Sequence, residues 1–273
     1  MSAGTASASA KARRASNSKG MDAVARLGLA SRGTIYLLIG VLAVLLAVGQ
    51  KKGETDQRGA LQELAQQTGG FVLLLVVAVG LAGYALWRFS EAAFGVAGEG
   101  NKAGPRAQSA VRGVVYTFLA ISAFRILIEG RDKSQAKQQQ SYSARLMHDI
   151  AGRWLVGVVG LTVAVVGAVL VYQGIKREFE KHFKLGEMSP GARKLTEFLG
   201  VVGTVSRGLV FGVAGVLVVV AAVQFDPKKA RGIDSALLTL RDAPLGQVVL
   251  FGVAAGLIMF GLFGWCEARW SRT

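Results

Sequence analysis

The 273-residue chain has one cysteine, two histidines and four prolines. A lone Cys266 excludes an internal disulfide framework and a Cys-rich zinc site. Acidic residues are also scarce, 17 Asp+Glu against 32 Lys+Arg, which leaves a formal net charge of +15. In a soluble protein such an excess points to nucleic acid, but this chain is 52% hydrophobic with a mean hydropathy of +0.42. The same apolar content excludes a disordered basic chain, and no nucleic-acid partner is expected.

The most informative shortage is local. Charge is nearly missing from 33–49, 69–87, 113–128, 154–172, 208–225 and 244–264, where Arg125 is the one charged residue. These runs are 16 to 21 residues long, and crossing a ~30 Å hydrocarbon core takes ~20 helical residues. Buried soluble helices would keep a polar face, and barrel strands would alternate; neither pattern occurs. The two short runs reach full length by including Arg32 or Arg112, whose guanidinium groups snorkel to the interface. Trp87, Trp154 and Trp265 stand at the run ends, as in an interfacial aromatic belt.

Outside the runs, 19 Lys+Arg fall on the side of the two termini and 12 on the other. The positive-inside rule therefore places both termini in the cytoplasm, and the basic side faces anionic headgroups. The tail 1–21 is rich in Ala, Ser, Lys and Arg and reads as disordered and cytoplasmic. A cleaved signal peptide is rejected as the reading of the first run, because that run has counterparts later in the chain.

Those counterparts are internal repeats. Arg32-Gly33-Thr34-Ile35-Tyr36, Arg112-Gly113-Val114-Val115-Tyr116 and Arg207-Gly208-Leu209-Val210-Phe211 open the odd runs. Ala60-Leu61 leads to Gly70 and Ala236-Leu237 to Gly246 at the same separation, and the match continues to Glu91 and Glu267. In the middle copy Ala144–Met147 precedes Gly152, and the register beyond it stays open. The units are 22–98, 102–185 and 196–273. Each holds two spans, so all enter the membrane alike, which predicts parallel repeats and a pseudo-threefold bundle of six helices. These motifs resemble the domain-of-unknown-function family 1206. The resemblance covers 22–273 and implies a bacterial integral membrane protein of three two-helix units, located in the cytoplasmic membrane. It implies no catalytic pattern.

Several residues are candidates for chemistry. Arg32, Arg112 and Arg207 are expected at one depth on the inner side. They read as topology anchors, as partners of Glu91, Glu267 and Glu178 or Glu180 closing each hairpin, or as a ring that binds an anionic headgroup or metabolite. Arg125 and Glu129 are expected to pair at the outer interface. His148 and His182 fall on opposite sides and cannot share a metal. No nucleophile–base motif occurs, so no catalytic, cofactor or metal residue is assigned and no enzyme is expected. Amphipathic segments at 60–64, 144–147 and 236–240 are expected to lie flat on the bilayer or to cap the bundle. The plainest function is a non-enzymatic membrane scaffold, with lipid and an open protein partner. The alternative is a passive channel, carrier or lipid-binding protein using the bundle's centre.

Overall fold

The computed structural model describes residues 19–49, 55–96, 102–129, 142, 144–146, 149–226, 232–242 and 244–271; for Lys19, Met21, Arg58 and Glu129 it describes the backbone only. The fold is all-α. The helices are α1 (Lys19–Ala47), α2 (Gln57–Gln66), α3 (Gly70–Phe94), α4 (Ala103–Glu129), α5 (Ile150–Ile175), α6 (Pro190–Gln224), α7 (Ile233–Asp242) and α8 (Gly246–Trp270). All but α2 and α7 are long and apolar enough to cross a membrane.

Helix ends follow local chemistry. Ser189 caps α6 by accepting from Ala192 N at 3.3 Å, with Pro190 pre-set for the first turn. Asp56 accepts from Gly59 N at 2.8 Å at the start of α2. The final carbonyls of α8 and α3 have no partners within their helices. Arg26 donates to the carbonyls of Ala268 and Arg269 at 2.9 and 2.7 Å, and Arg106 to those of Ala92 and Ala93 at 2.7 and 3.1 Å. α1 and α4 thus each satisfy the end of a helix from another hairpin.

The odd helices run well past their apolar segments. Arg32, Arg112 and Arg207 therefore do not stand at helix entrances. Even Arg112, the nearest to a helix start, is more than two turns inside α4 at ~3.6 residues per turn. Most of the expected tail lies outside the described residues. Its last part, 19–21, is not disordered but begins α1, where Asp22 in the first turn pairs with Arg26 at 3.0 Å.

The six long helices pack in the cyclic order α8, α1, α3, α4 and then α5, α6, α8. The strongest interfaces join α3 to α4, α5 to α6 and α8 to α1; weaker ones join α1 to α3 and α6 to α8. Between α4 and α5 there is no comparable interface. The ring has one open seam.

Small residues explain which interfaces close. A Cβ on Gly33 would meet the Gly261 carbonyl oxygen at 2.6 Å, so α1 and α8 touch backbone to backbone. Between α1 and α3, Ser31 sits against Gly80; between α6 and α8, Ser206 sits against Gly256. The corresponding positions of the middle hairpin follow from a recurring contact. Gly70 lies under the Leu64 carbonyl, Gly152 under the Leu146 carbonyl and Gly246 under the Leu240 carbonyl. Ten residues beyond these glycines come Gly80, Thr162 and Gly256. The residue before the odd-helix arginine is Ser31, Val111 or Ser206 in the three copies. The middle pair thus has neither member of the close contact, and bulkier side chains stand at both positions.

On the face opposite the termini, Ala60, Leu61, Ala236 and Leu237 have no exposed surface, so α2 and α7 dock into the bundle. Thr55 N donates to Asp234 Oδ1 at 3.1 Å, tying the two regions together. In the middle copy, 144–146 is helical and exposed, while Met147 and His148 lie outside the described residues.

Candidate functional site

The motif Arg-Gly-x-x-aromatic places an arginine and a ring one helical turn apart on one face. α1, α4 and α6 turn those faces toward a common centre. Arg32, Arg112 and Arg207 all line a chamber of about 330 Å³ toward the terminal face. They also line a second cavity of about 200 Å³ deeper in the bundle, together with Tyr36, Tyr116 and Phe211. The first is mixed in character, with Gln108, Ser109, Gln173 and Thr204 among its walls. The second is mostly apolar, walled by Ile35, Val115, Leu119, Val166 and Leu170. The arginines form the boundary between them.

The arginines differ in their partners. Arg32 is 5% exposed and pairs with Glu267 of α8. Its Nη1 also donates to Tyr84 Oη at 3.2 Å. Glu91 does not reach Arg32, its expected partner in the same hairpin. It accepts from Arg88 Nη1 at 2.6 Å and from Ser109 Oγ at 3.0 Å. Arg88 also donates to Tyr84 Oη from Nε at 2.9 Å and Nη2 at 2.7 Å. Arg207 has three rings within reach: the centroids of Tyr36, Phe211 and Phe260 lie 5.2, 5.1 and 5.0 Å from its Cζ. The Nε atoms of Arg32 and Arg207 are buried without a hydrogen-bond partner. Among the described residues Arg112 has no ion pair or hydrogen-bond partner, and it faces the same chamber.

The glycine register explains the imbalance. Twenty-one residues beyond Gly70, Gly152 and Gly246 stand Glu91, Gln173 and Glu267. Glu178 and Glu180 are therefore not the middle copy's equivalents; Gln173 is, and it carries no charge. Glu267 pairs with Arg32, the arginine of the next odd helix in the ring. Gln173 supplies no charge for Arg207, and Arg88 takes Glu91 away from Arg112. The chamber walls hold five cations (Arg32, Arg88, Arg112, Lys181 and Arg207) against three carboxylates (Glu91, Glu178 and Glu267). Uncompensated charge at this depth in an apolar bundle makes the chamber the candidate functional site.

The segment after α5 forms one wall at the terminal face. Phe183 pairs with Ser271 in an antiparallel bridge, and Lys184 N donates to the Trp270 carbonyl at 3.0 Å. Phe179 meets the Phe263 ring edge-on at 5.1 Å between centroids. His182 lies at the rim, its imidazole held below the ordinary value by burial. Glu267 and Glu91 oppose that shift, and Arg88 and Arg112 add to it.

Other expected positions fall elsewhere. Trp87 does not join an interfacial belt: it is buried with the Arg88 guanidinium 4.3 Å from its ring centroid. Trp154 and Trp265 are exposed. Arg125 is exposed on α4, and the side chain of Glu129 lies outside the described residues. Cys266 is half-buried on α8. Among the described residues no group of three His, Cys, Asp or Glu is placed to hold a metal.

Six apolar helices around a basic, partly apolar cavity define a multi-pass integral membrane protein. The family described as Domain of Unknown Function (DUF1206) matches residues 27–95, 107–177 and 202–271, and the chain belongs to that family of bacterial integral membrane proteins with repeated transmembrane units. The chain is 31% identical over 241 residues to the "Uncharacterized protein YxxB" of Bacillus subtilis (strain 168), covering 87% of this chain and 86% of that one. No solved structure matches it.

Proposed function

We propose that the protein is a non-enzymatic binder of an anionic amphiphile, held at the centre of the bundle. The single observation that carries this reading is the convergence of Arg32, Arg112 and Arg207 on a chamber that continues into an apolar cavity. Basic pockets between membrane helices bind anionic headgroups, and an apolar continuation suits a hydrocarbon tail. A scaffold would account for the basic loops, but not for two buried guanidinium Nε groups without partners. In this reading the three matched units stand around a pseudo-threefold axis and the terminal face is cytosolic, supported by the cyclic packing order and the excess of basic residues on that side.

Thermal unfolding in a neutral detergent tests the proposal. Phosphatidylglycerol should raise the midpoint where phosphatidylcholine does not, because a ligand of the native state stabilises it. The rise should vanish in a variant carrying Arg112→Gln and Arg207→Gln. An equal response to both lipids, or a rise that the double variant retains, would refute it.

A further inference from the structure

The charge and the seam together specify the ligand further. We infer that the chamber takes a phosphomonoester lipid that enters sideways between α4 and α5; this rests on the amphiphile-binding reading above. The chamber's walls carry two more cations than carboxylates. A phosphomonoester carries a charge of about −1.5 to −2 and three unesterified oxygens, whereas a phosphodiester carries one charge and two such oxygens. Three guanidinium groups, one from each odd helix, offer one donor group to each of three oxygens. One charge of that excess is traceable to Gln173, which stands where the other copies have glutamate.

The seam supplies the route. The deep cavity is walled on one side by Val115 of α4 and on the other by Val166 of α5, two helices with no close interface. Both valines line the cavity and are also exposed, at 50% and 44%. A hydrocarbon tail can pass between them into the bilayer while the head stays at the arginines. A soluble phosphate would use neither the apolar cavity nor the seam.

Native mass spectrometry of the full chain from nanodiscs tests this, with phosphatidic acid, phosphatidylglycerol and inorganic phosphate as probes. Phosphatidic acid should be retained about tenfold more than phosphatidylglycerol, the increment of one strong charge-assisted contact. Millimolar inorganic phosphate should not displace it. Gln173→Glu should remove the preference; if that variant does not assemble, Arg207→Gln is read instead. Equal retention of the two lipids overturns the phosphomonoester assignment and leaves the amphiphile reading standing. Displacement by inorganic phosphate overturns the lipid source. Retention of neither lipid overturns both readings. A preference that survives both variants overturns the assignment to this chamber.

Discussion

The first and third helical pairs differ from the middle pair at three aligned positions, and those positions account for both special features of the molecule. Ser31 and Gly80 close α1 on α3, and Ser206 and Gly256 close α6 on α8. Val111 and Thr162 replace them in the middle pair and leave the seam. Glu91 and Glu267 supply carboxylates, and Gln173 replaces them with a neutral amide. The middle copy thus gives the ring its opening and makes its centre more positive by one charge.

The comparison breaks most sharply at the carboxylate position. Glu267→Gln leaves Arg32 buried beside an uncharged partner, which should destabilise the fold by about 3–5 kcal/mol. Gln173→Glu, the reverse change at the aligned position, should stabilise the empty protein. Thermal midpoints of both variants in one detergent check the opposite signs; the same sign for both would dissolve the comparison.

Packing gives the next effect. Gly80→Val and Gly256→Val force a branched side chain against Ser31 and Ser206, and each should cost about 1–3 kcal/mol. Thr162→Val, at the open seam, should stay within about 0.5 kcal/mol, as surface changes do. Chemical or thermal unfolding of the three variants measures this.

The seam can also be closed. Val111→Ser with Thr162→Gly recreates the contact of the outer pairs. Labelling of a Val115→Cys probe by a membrane-soluble maleimide should then slow by about tenfold, since each 1.4 kcal/mol of closure is a factor of ten. Unchanged labelling would show that something other than these two positions holds α4 from α5.

The smallest effect belongs to the rim. The His182 imidazole is depressed by its surroundings, so the unfolded chain binds its proton more readily than the folded one. Its contribution is complete above the ordinary histidine value of about 6.5 and fades as pH falls toward the depressed folded value. A shallow loss of thermal midpoint below about pH 6.5 should flatten in His182→Gln.

Much of this was legible in the sequence, for physical reasons. Charge depletion marks membrane helices because water is absent from the hydrocarbon core, and six such helices are there. The Arg-Gly-x-x-aromatic motif identified the three arginines because a shared face at helical spacing needs no tertiary information. Two things stayed hidden. Partners across helices depend on the cyclic order, so Glu267 meets Arg32 from the other end of the chain. The middle register was masked because Tyr142-Ser143 stands where Ala60-Leu61 and Ala236-Leu237 stand in the other copies. Gly152 by itself carries the register, since Thr162 and Gln173 follow it at the spacing at which Gly80 and Glu91 follow Gly70. The lengths of the odd helices were also understated, because their polar first turns sit outside the apolar runs and are held by Ser189, Arg26 and Arg106.

The central claim is that an anionic amphiphile sits among the three arginines and leaves through the seam. The most direct test is an electron cryomicroscopy map of the protein in nanodiscs containing phosphatidic acid. The account predicts headgroup density between Arg32, Arg112 and Arg207, with a tail running out between α4 and α5. A chamber filled by protein side chains alone, with α4 and α5 packed against each other, would contradict it.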